Sequence, residues 1–219
     1  MAESVAIAIM AKAPLPGLVK TRLIPVLGAE GAAALALRLI ERTSKIASEA
    51  AVGPVTLWCA PDESHPLFLA LKRSLDIALG RQCEGDLGDR MHAAVVAAGG
   101  PVLVIGTDCP ALTARHLQTA ATALSHHDAV AIPAEDGGYP LIGLRRPERS
   151  LFAAMPWGDA TVMQETRRRL RARGLSWHEL APLWDIDTAA DLDRLRRDPS
   201  LAPLLPSDDR SLPPAQTKP

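Results

Sequence analysis

PVLVIGTDCP, residues 101–110, is an aliphatic run closed by Gly106, Thr107 and Asp108 and then by Pro110. A strand with no polar residue in its run is buried on both faces, the condition of a parallel sheet covered by helices. From about residue 113 to 124 apolar residues recur at helical spacing, so the spacing predicts a crossover helix after the strand. Upstream, GDLGDRMHAAVVAAG reads as a helix opening near Gly85 and closing at Gly99 and Gly100. LDIALGRQ is a short strand candidate and VTLWCA, 55–60, a buried one, with DESHPLFLALKRS a capped helix between them. The N-terminal run from Val5 to Met10 is a further strand, followed by the loop KAPLPG and an Ala/Leu-rich helix over 29–51.

Downstream, DAVAIPAEDGGYPLIGL reads as two strand pieces around an acidic, glycine-rich turn, and WGDATVMQETRRRLRARG as a basic helix after a loop. DIDTAADLDRLRR reads as a strand end followed by a last helix capped by Thr188. Strands alternating with helices at this spacing specify α/β: a Rossmann-like, mostly parallel central sheet with helices on both faces, in one domain over 1–197. Residues 198–219 are Pro- and Ser-rich and are expected to form a disordered tail.

Composition narrows the function classes. Hydrophobic residues are 47% and charged residues 22%, enough for a large core without staples. A net charge of −1 and only 3% aromatics give neither the field nor the stacking surface for nucleic acid, so no nucleic-acid partner is expected. The RRRLRAR run is a solvated helix face. Cys59, Cys83 and Cys109 are far apart and form no CxxC pair, which fits a reducing, cytoplasmic setting. The N-terminal apolar run stops at Lys12, too short for a membrane span, so membrane insertion is not expected either. The six histidines suggest no Ser/His/Asp triad.

Ligands in open α/β sheets gather at the carboxyl ends of the strands, which makes Asp108 a candidate. It either anchors a magnesium ion, which takes one or two carboxylates plus phosphate oxygens, or caps the helix that follows. Asp187 can bring a second carboxylate to the same metal. Alternation puts Asp185 and Asp187 on one face of the segment and buries Ile186 on the other, with Asp185 open to a solvated role. In AKAPLPGLVKTRL, Lys12, Lys20 and Arg22 surround a Pro/Gly turn including Ala13, Pro14 and Gly17. Its N–H groups and cations suit a pyrophosphate, although such a loop also occurs simply solvated. In EDGGY, Glu135 or Asp136 can accept sugar hydroxyls or act as a base, while Gly137 and Gly138 allow close backbone approach beside Tyr139; a plain hairpin turn is the alternative. Asp89 and Arg90 either reach the site or sit in a solvated first helical turn.

AKAPLPGLVKTRL, GDLGDRM, VIGTDCPALT, PAEDGGYPLIGL, PWGDATVMQETRRRL and DIDTAADL follow in the order found in a bacterial family of small GT-A-like transferases, and the sequence resembles that family from about Val5 to Leu195. The family includes an arsenosugar-biosynthesis branch and transferases associated with radical-SAM and selenium-domain proteins. The resemblance implies a nucleotide-diphospho-sugar transferase fold, with phosphates held by the first loop and by Gly106 and Thr107. It implies Mg2+ or Mn2+ at Asp108 and Asp187, and sugar or acceptor at Glu135, Asp136, Gly137, Gly138 and Tyr139. Pro140 departs from the aromatic residue that similar members carry after Tyr139, which bears on acceptor specificity. The expected activity is glycosyl transfer from a nucleotide sugar to a small-molecule acceptor by a monomer or homodimer. Asp108 and Lys20 stabilise the diphosphate and Asp136 is the base. Nucleotidyl transfer from a nucleoside triphosphate is the alternative, since phospholactate guanylyltransferases and molybdenum-cofactor nucleotidyltransferases are similar in the first loop and in DIDTAADL. A non-catalytic nucleotide-binding module is the reading from a different class.

Overall fold

The computed structural model describes residues 4–206. Strands β1 (Ala6–Lys12), β2 (Val55–Ala60), β3 (Ala78–Arg81), β4 (Val102–Ile105), β5 (Ala129–Ile132), β6 (Leu141–Leu144) and β7 (Trp177–Glu179) form one sheet in the order β3-β2-β1-β4-β6-β5-β7. All neighbouring pairs are parallel except those made by β6, which runs antiparallel to both β4 and β5. β5 and β6 are therefore a wide hairpin whose connection, 133–140, is the acidic glycine-rich segment.

Alternation along the strands sorts the core into two layers. Ile7, Ile9, Leu103, Ile105, Val130 and Ile132 face helices α1 (Ile24–Ala50), α2 (Pro66–Leu75) and α4 (Ala114–Leu124). Ala8, Val102, Val104, Ala129, Ile142 and Leu144 face α3 (Leu87–Ala98) and Leu170 of α5 (Val162–Ala172). Both faces of β4 are buried, as its unbroken aliphatic run requires, and each such side chain contributes about 1.5–3 kcal/mol.

The helix ends follow local chemistry. Gly28, at φ 69° and ψ 170°, breaks the regular geometry of α1, so continuous helix begins at the residue expected from the sequence. Thr113 and His116 form a capping box on α4, and Thr188 and Asp191 form one on α6 (Ala189–Arg197). The stretch 21–50 is long and apolar enough to cross a membrane by length and composition, but α1 lays Leu35, Leu39, Ile40 and Ala47 into the core.

Two sequence expectations are revised, and one strand was not expected. The helix expected near Gly85 starts at Leu87 with Asp86 as its cap, because the Asp86 carboxylate accepts from the Asp89 N–H. β7 had no expectation at all. Residues 198–206, placed at the start of the tail, pack on the body: Leu201 and Leu205 are buried with Leu23, Leu35, Trp184 and Leu195. The remainder of the expected tail, 207–219, lies outside the described residues.

Candidate active site

The carboxyl ends of β1 and β4 open into a hollow of about 510 Å³ lined by residues of the first loop, Gly106, Thr107, Asp108, Asp136 and Asp187. The loop is built by its own backbone: Leu15 N–H donates to Ala13 O, Leu18 N–H to Leu15 O, and Lys12 Nζ to Leu18 O at 2.8 Å. Lys20 takes a left-handed conformation, φ 47°, that heads the short 3-10 turn Thr21–Leu23.

Asp187 reaches Asp108 because the chain before it is laid along the strand ends. Leu183 N–H donates to Pro133 O, Glu135 N–H to Leu183 O, and Ile186 N–H to the main-chain oxygen of Asp108 at 2.9 Å. Ile186 is buried, and the acids on either side of it turn toward the cleft region. Lys20 Nζ then lies 2.7 Å from Asp108 Oδ1 and 3.2 Å from Asp187 Oδ1, and it also donates to Ile186 O. The lysine side chain is 6% exposed, whereas those of Asp108 and Asp187 are 54% and 40% exposed. Burial pulls the Lys20 ammonium pKa down, but Asp108 and Asp187 outweigh it and the net displacement is upward. Arg22 is exposed at the rim, 3.8 Å from Asp187 Oδ2.

A second hollow, of about 220 Å³, adjoins the first and shares Met10, Leu87, Gly106, Asp136 and Gly158 with it. Its floor is apolar, with Met91, Val104 and Ile105, and Tyr139 and Trp157 meet edge to face at 6.3 Å in its wall. Its charged lining is acidic only: Asp136, Asp159 and Asp185. Asp185 Oδ1 is buried without a hydrogen-bond partner. Burial, then Asp108 and Asp136, push its carboxyl pKa up to about 7, against the pull of Lys20.

The structure thus brings Lys12, Lys20, Arg22, Gly106, Thr107, Asp108, Asp136 and Asp187 to one cleft, and Asp136, Gly138 and Tyr139 to its neighbour. Other expected site residues are elsewhere. Ala13 and Pro14 are buried, and Gly17 supplies a left-handed turn, φ 78°, so these shape the loop. Glu135 is turned onto Arg194 of α6 in a two-point ion pair, at 2.7 and 3.2 Å. Gly137, φ 93°, packs so tightly that an added Cβ would sit 1.9 Å from Ala160 O. It supports the turn, and its carbonyl accepts from Met163 N–H. Asp89 pairs loosely with Arg149. Asp185, Trp157, Met10 and Met91 line the second hollow without having been singled out as binding residues. The strand-end alternation that selected Asp187 was the available signal for Asp185. Cys59 and Cys109 are buried thiols pushed up to about 12, chiefly by burial, which removes them as nucleophiles at neutral pH.

The description "Uncharacterized protein conserved in bacteria (DUF2064)" matches residues 43–159, which is more than half of the chain. The chain belongs to the DUF2064 family. Among solved structures, this DUF2064 member is similar to one from Desulfovibrio desulfuricans G20 described as a "putative nucleotide-diphospho-sugar transferase". The two are 32% identical, with a TM-score of 0.80 over 89% of this chain and 87% of that one. A cytidylyltransferase from Leptospira borgpetersenii serovar Hardjo-bovis is 14% identical, with a TM-score of 0.55 over 88% and 84% of the two chains. The 4-diphosphocytidyl-2C-methyl-D-erythritol synthase of Anaerococcus prevotii is 12% identical, with a TM-score of 0.55 over 88% and 96%. Similarity at that level shows a shared fold, that of nucleotide-diphospho-sugar transferases and nucleotidyltransferases. No curated protein matches by sequence.

Proposed function

We propose that this DUF2064 member is a divalent-metal-dependent transferase that moves a glycosyl group from a nucleotide sugar to the hydroxyl of a small acceptor. One observation carries the reading: Asp108 and Asp187, far apart in sequence, meet on a single cation beside a basic loop at the carboxyl ends of the strands. Among the described residues no group of three or more His, Cys, Asp or Glu forms a closed cage. The donor set instead fits Mg2+ or Mn2+, which take one or two carboxylates and complete their shell with phosphate oxygens and water. When bound there by Asp108 and Asp187, the ion supplies charge neutralisation to the diphosphate.

The chain's own groups divide the remaining work. Arg22, exposed at the rim of the cleft, offers charge and donors to the diphosphate. Asp136 lines both hollows, with Oδ1 held by the Gly138 N–H at 3.0 Å, which puts a carboxylate where donor and acceptor would meet. The acceptor oxygen attacks the anomeric carbon, its proton passes to Asp136, and the anomeric C–O bond breaks with both electrons leaving on the diphosphate.

The acidic lining of the second hollow favours this over nucleotidyl transfer. An attacking phosphate would enter a pocket whose charged lining is acidic and holds no basic residue, where like charges repel, whereas a neutral hydroxyl acceptor meets no such cost. The test is product analysis with Mn2+ over a panel of nucleotide sugars and nucleoside triphosphates. Release of nucleoside diphosphate from a nucleotide sugar, lost in Asp108→Asn, is expected. Pyrophosphate released from a triphosphate would replace this reading with nucleotidyl transfer, and Mn2+-dependent nucleotide affinity unchanged in Asp108→Asn would remove the metal site from it.

A further inference from the structure

An ammonium has three N–H donors and no acceptor capacity. In Lys20 all three have protein partners: Asp108 Oδ1, Asp187 Oδ1 and the Ile186 carbonyl. The side chain is buried beneath the two carboxylates, which are themselves half-exposed to the cleft. A group so placed has its donors engaged and, although it lines the hollow, exposes only 6% of its side chain to what enters. This separates Lys20 from Arg22, which is 73% exposed and reaches Asp187 only at 3.8 Å.

The charge at the site follows from this arrangement. Asp108 and Asp187 alone carry two negative charges, and Lys20 cancels one of them. Each carboxylate spends one oxygen on the ammonium, and Asp187 turns the other toward Arg22. A bare divalent cation gains little from a pair already half neutralised, while a cation arriving with a diphosphate brings the missing negative charge and oxygen ligands with it.

We propose that Lys20 is a resident counter-cation and positioning residue. It ties Asp108 to Asp187 through one oxygen each, and it lowers the pair's charge so that a divalent ion is held only together with the phosphates of a nucleotide. The proposal rests on the metal-and-nucleotide reading above and replaces the direct phosphate contact expected of Lys20 from the sequence.

The test uses Mn2+ itself as probe, with bound ion read by electron paramagnetic resonance in the wild type, Lys20→Met and Lys20→Gln. Lys20→Gln keeps a hydrogen-bond donor without charge, in case Lys20→Met does not fold. Each protein is titrated with Mn2+ alone and with Mn2+ plus whichever of ADP, CDP, GDP and UDP raises the wild-type melting temperature most. Removing the ammonium is expected to tighten free Mn2+ binding by about tenfold or more. In the wild type the nucleotide is expected to strengthen Mn2+ binding by about tenfold or more, and less than about threefold would overturn the proposal, because the ion would then be held without the phosphates. Calorimetry with EDTA present is expected to give metal-free nucleotide affinity lowered by no more than about tenfold, the repulsion between the diphosphate and the uncancelled carboxylate charge. Free Mn2+ affinity unchanged or weakened in the folded variant would overturn the proposal, as would metal-free nucleotide binding lost by more than about tenfold, the mark of a phosphate-binding lysine. Asp108→Asn in the Lys20→Gln background separates the two levels. Loss of Mn2+ there keeps the metal reading whatever Lys20 does, whereas retained Mn2+, or no nucleotide raising the wild-type melting temperature, overturns both.

Discussion

Asp185→Asn in the metal-free protein should stabilise the fold at alkaline pH and flatten its pH dependence. Asp185 Oδ1 is buried with no partner, and burial, Asp108 and Asp136 carry its carboxyl from 3.8 to about 7. Between those values the native protein holds a proton that the unfolded chain has released, so stability falls as pH rises, and the loss is complete once pH exceeds about 7. At about 1.4 kcal/mol for each tenfold change in proton affinity, the whole displacement amounts to at most about 4 kcal/mol. About 2–3 kcal/mol of that falls between pH 5 and pH 8, and Asn, neutral and of the same shape, lacks it. Urea unfolding of both proteins at the two pH values reads the difference. With a slope near 2 kcal/mol per molar urea, the wild-type midpoint should drop by about 1 M more than that of the variant. Parallel midpoints would mean that Asp185 ionises freely in the folded state, and its burial beside the other acids would then carry no energetic consequence.

Gly137→Ala should destabilise by about 3 kcal/mol or more, since a left-handed Ala costs about 1–2 kcal/mol and its Cβ meets the Ala160 carbonyl, which cannot rotate away. Gly138→Ala, whose Cβ meets only the Asp136 side chain at 3.3 Å, should stay within about 1 kcal/mol in the same urea assay. Glu135→Gln removes a half-exposed ion pair with Arg194 and should shift stability by less than about 1 kcal/mol while leaving kcat and both KM values within about twofold. A large rise in acceptor KM would return Glu135 to the site. Leu87→Ala, exposed by 44% and shared by the two hollows, should raise a substrate KM at unchanged kcat, with a melting temperature within about 2 °C of the wild type.

The strands that were legible in the sequence are those whose environment is uniform. β4, β5 and β6 are buried along their whole length, and a run of aliphatic residues reports burial directly. β7 gives no such run because it is an edge strand of three residues, Trp-His-Glu, bonded only to β5 and half in solvent. Asp108 was legible because it terminates a legible strand. Its meeting with Asp187 depends on the Ile186-to-Asp108 main-chain bond, which joins distant segments and leaves no trace in either. Composition marked the first loop as basic, but not that Lys12 closes it through Leu18 O while Lys20 turns inward. The acids of EDGGY were equally ambiguous. One faces the cleft and its neighbour faces α6, a choice made by Arg194, which stacks 4.4 Å over Trp184 and draws Glu135 away.

The reversed direction of β6 divides recognition between separable pieces of chain. Because β6 enters the sheet where β4 leaves it, Leu141 pairs with Ile105, and the 133–140 connection is delivered to the rim already formed by the β1 and β4 ends. Beyond Glu135, whose main chain with that of Pro133 holds Leu183, that connection can change sequence while both of its strands stay in register, and the groups gathered around Lys20 would keep their positions. A chemistry held constant in one half of the rim can in this way be offered to different partners by the other, without a new fold.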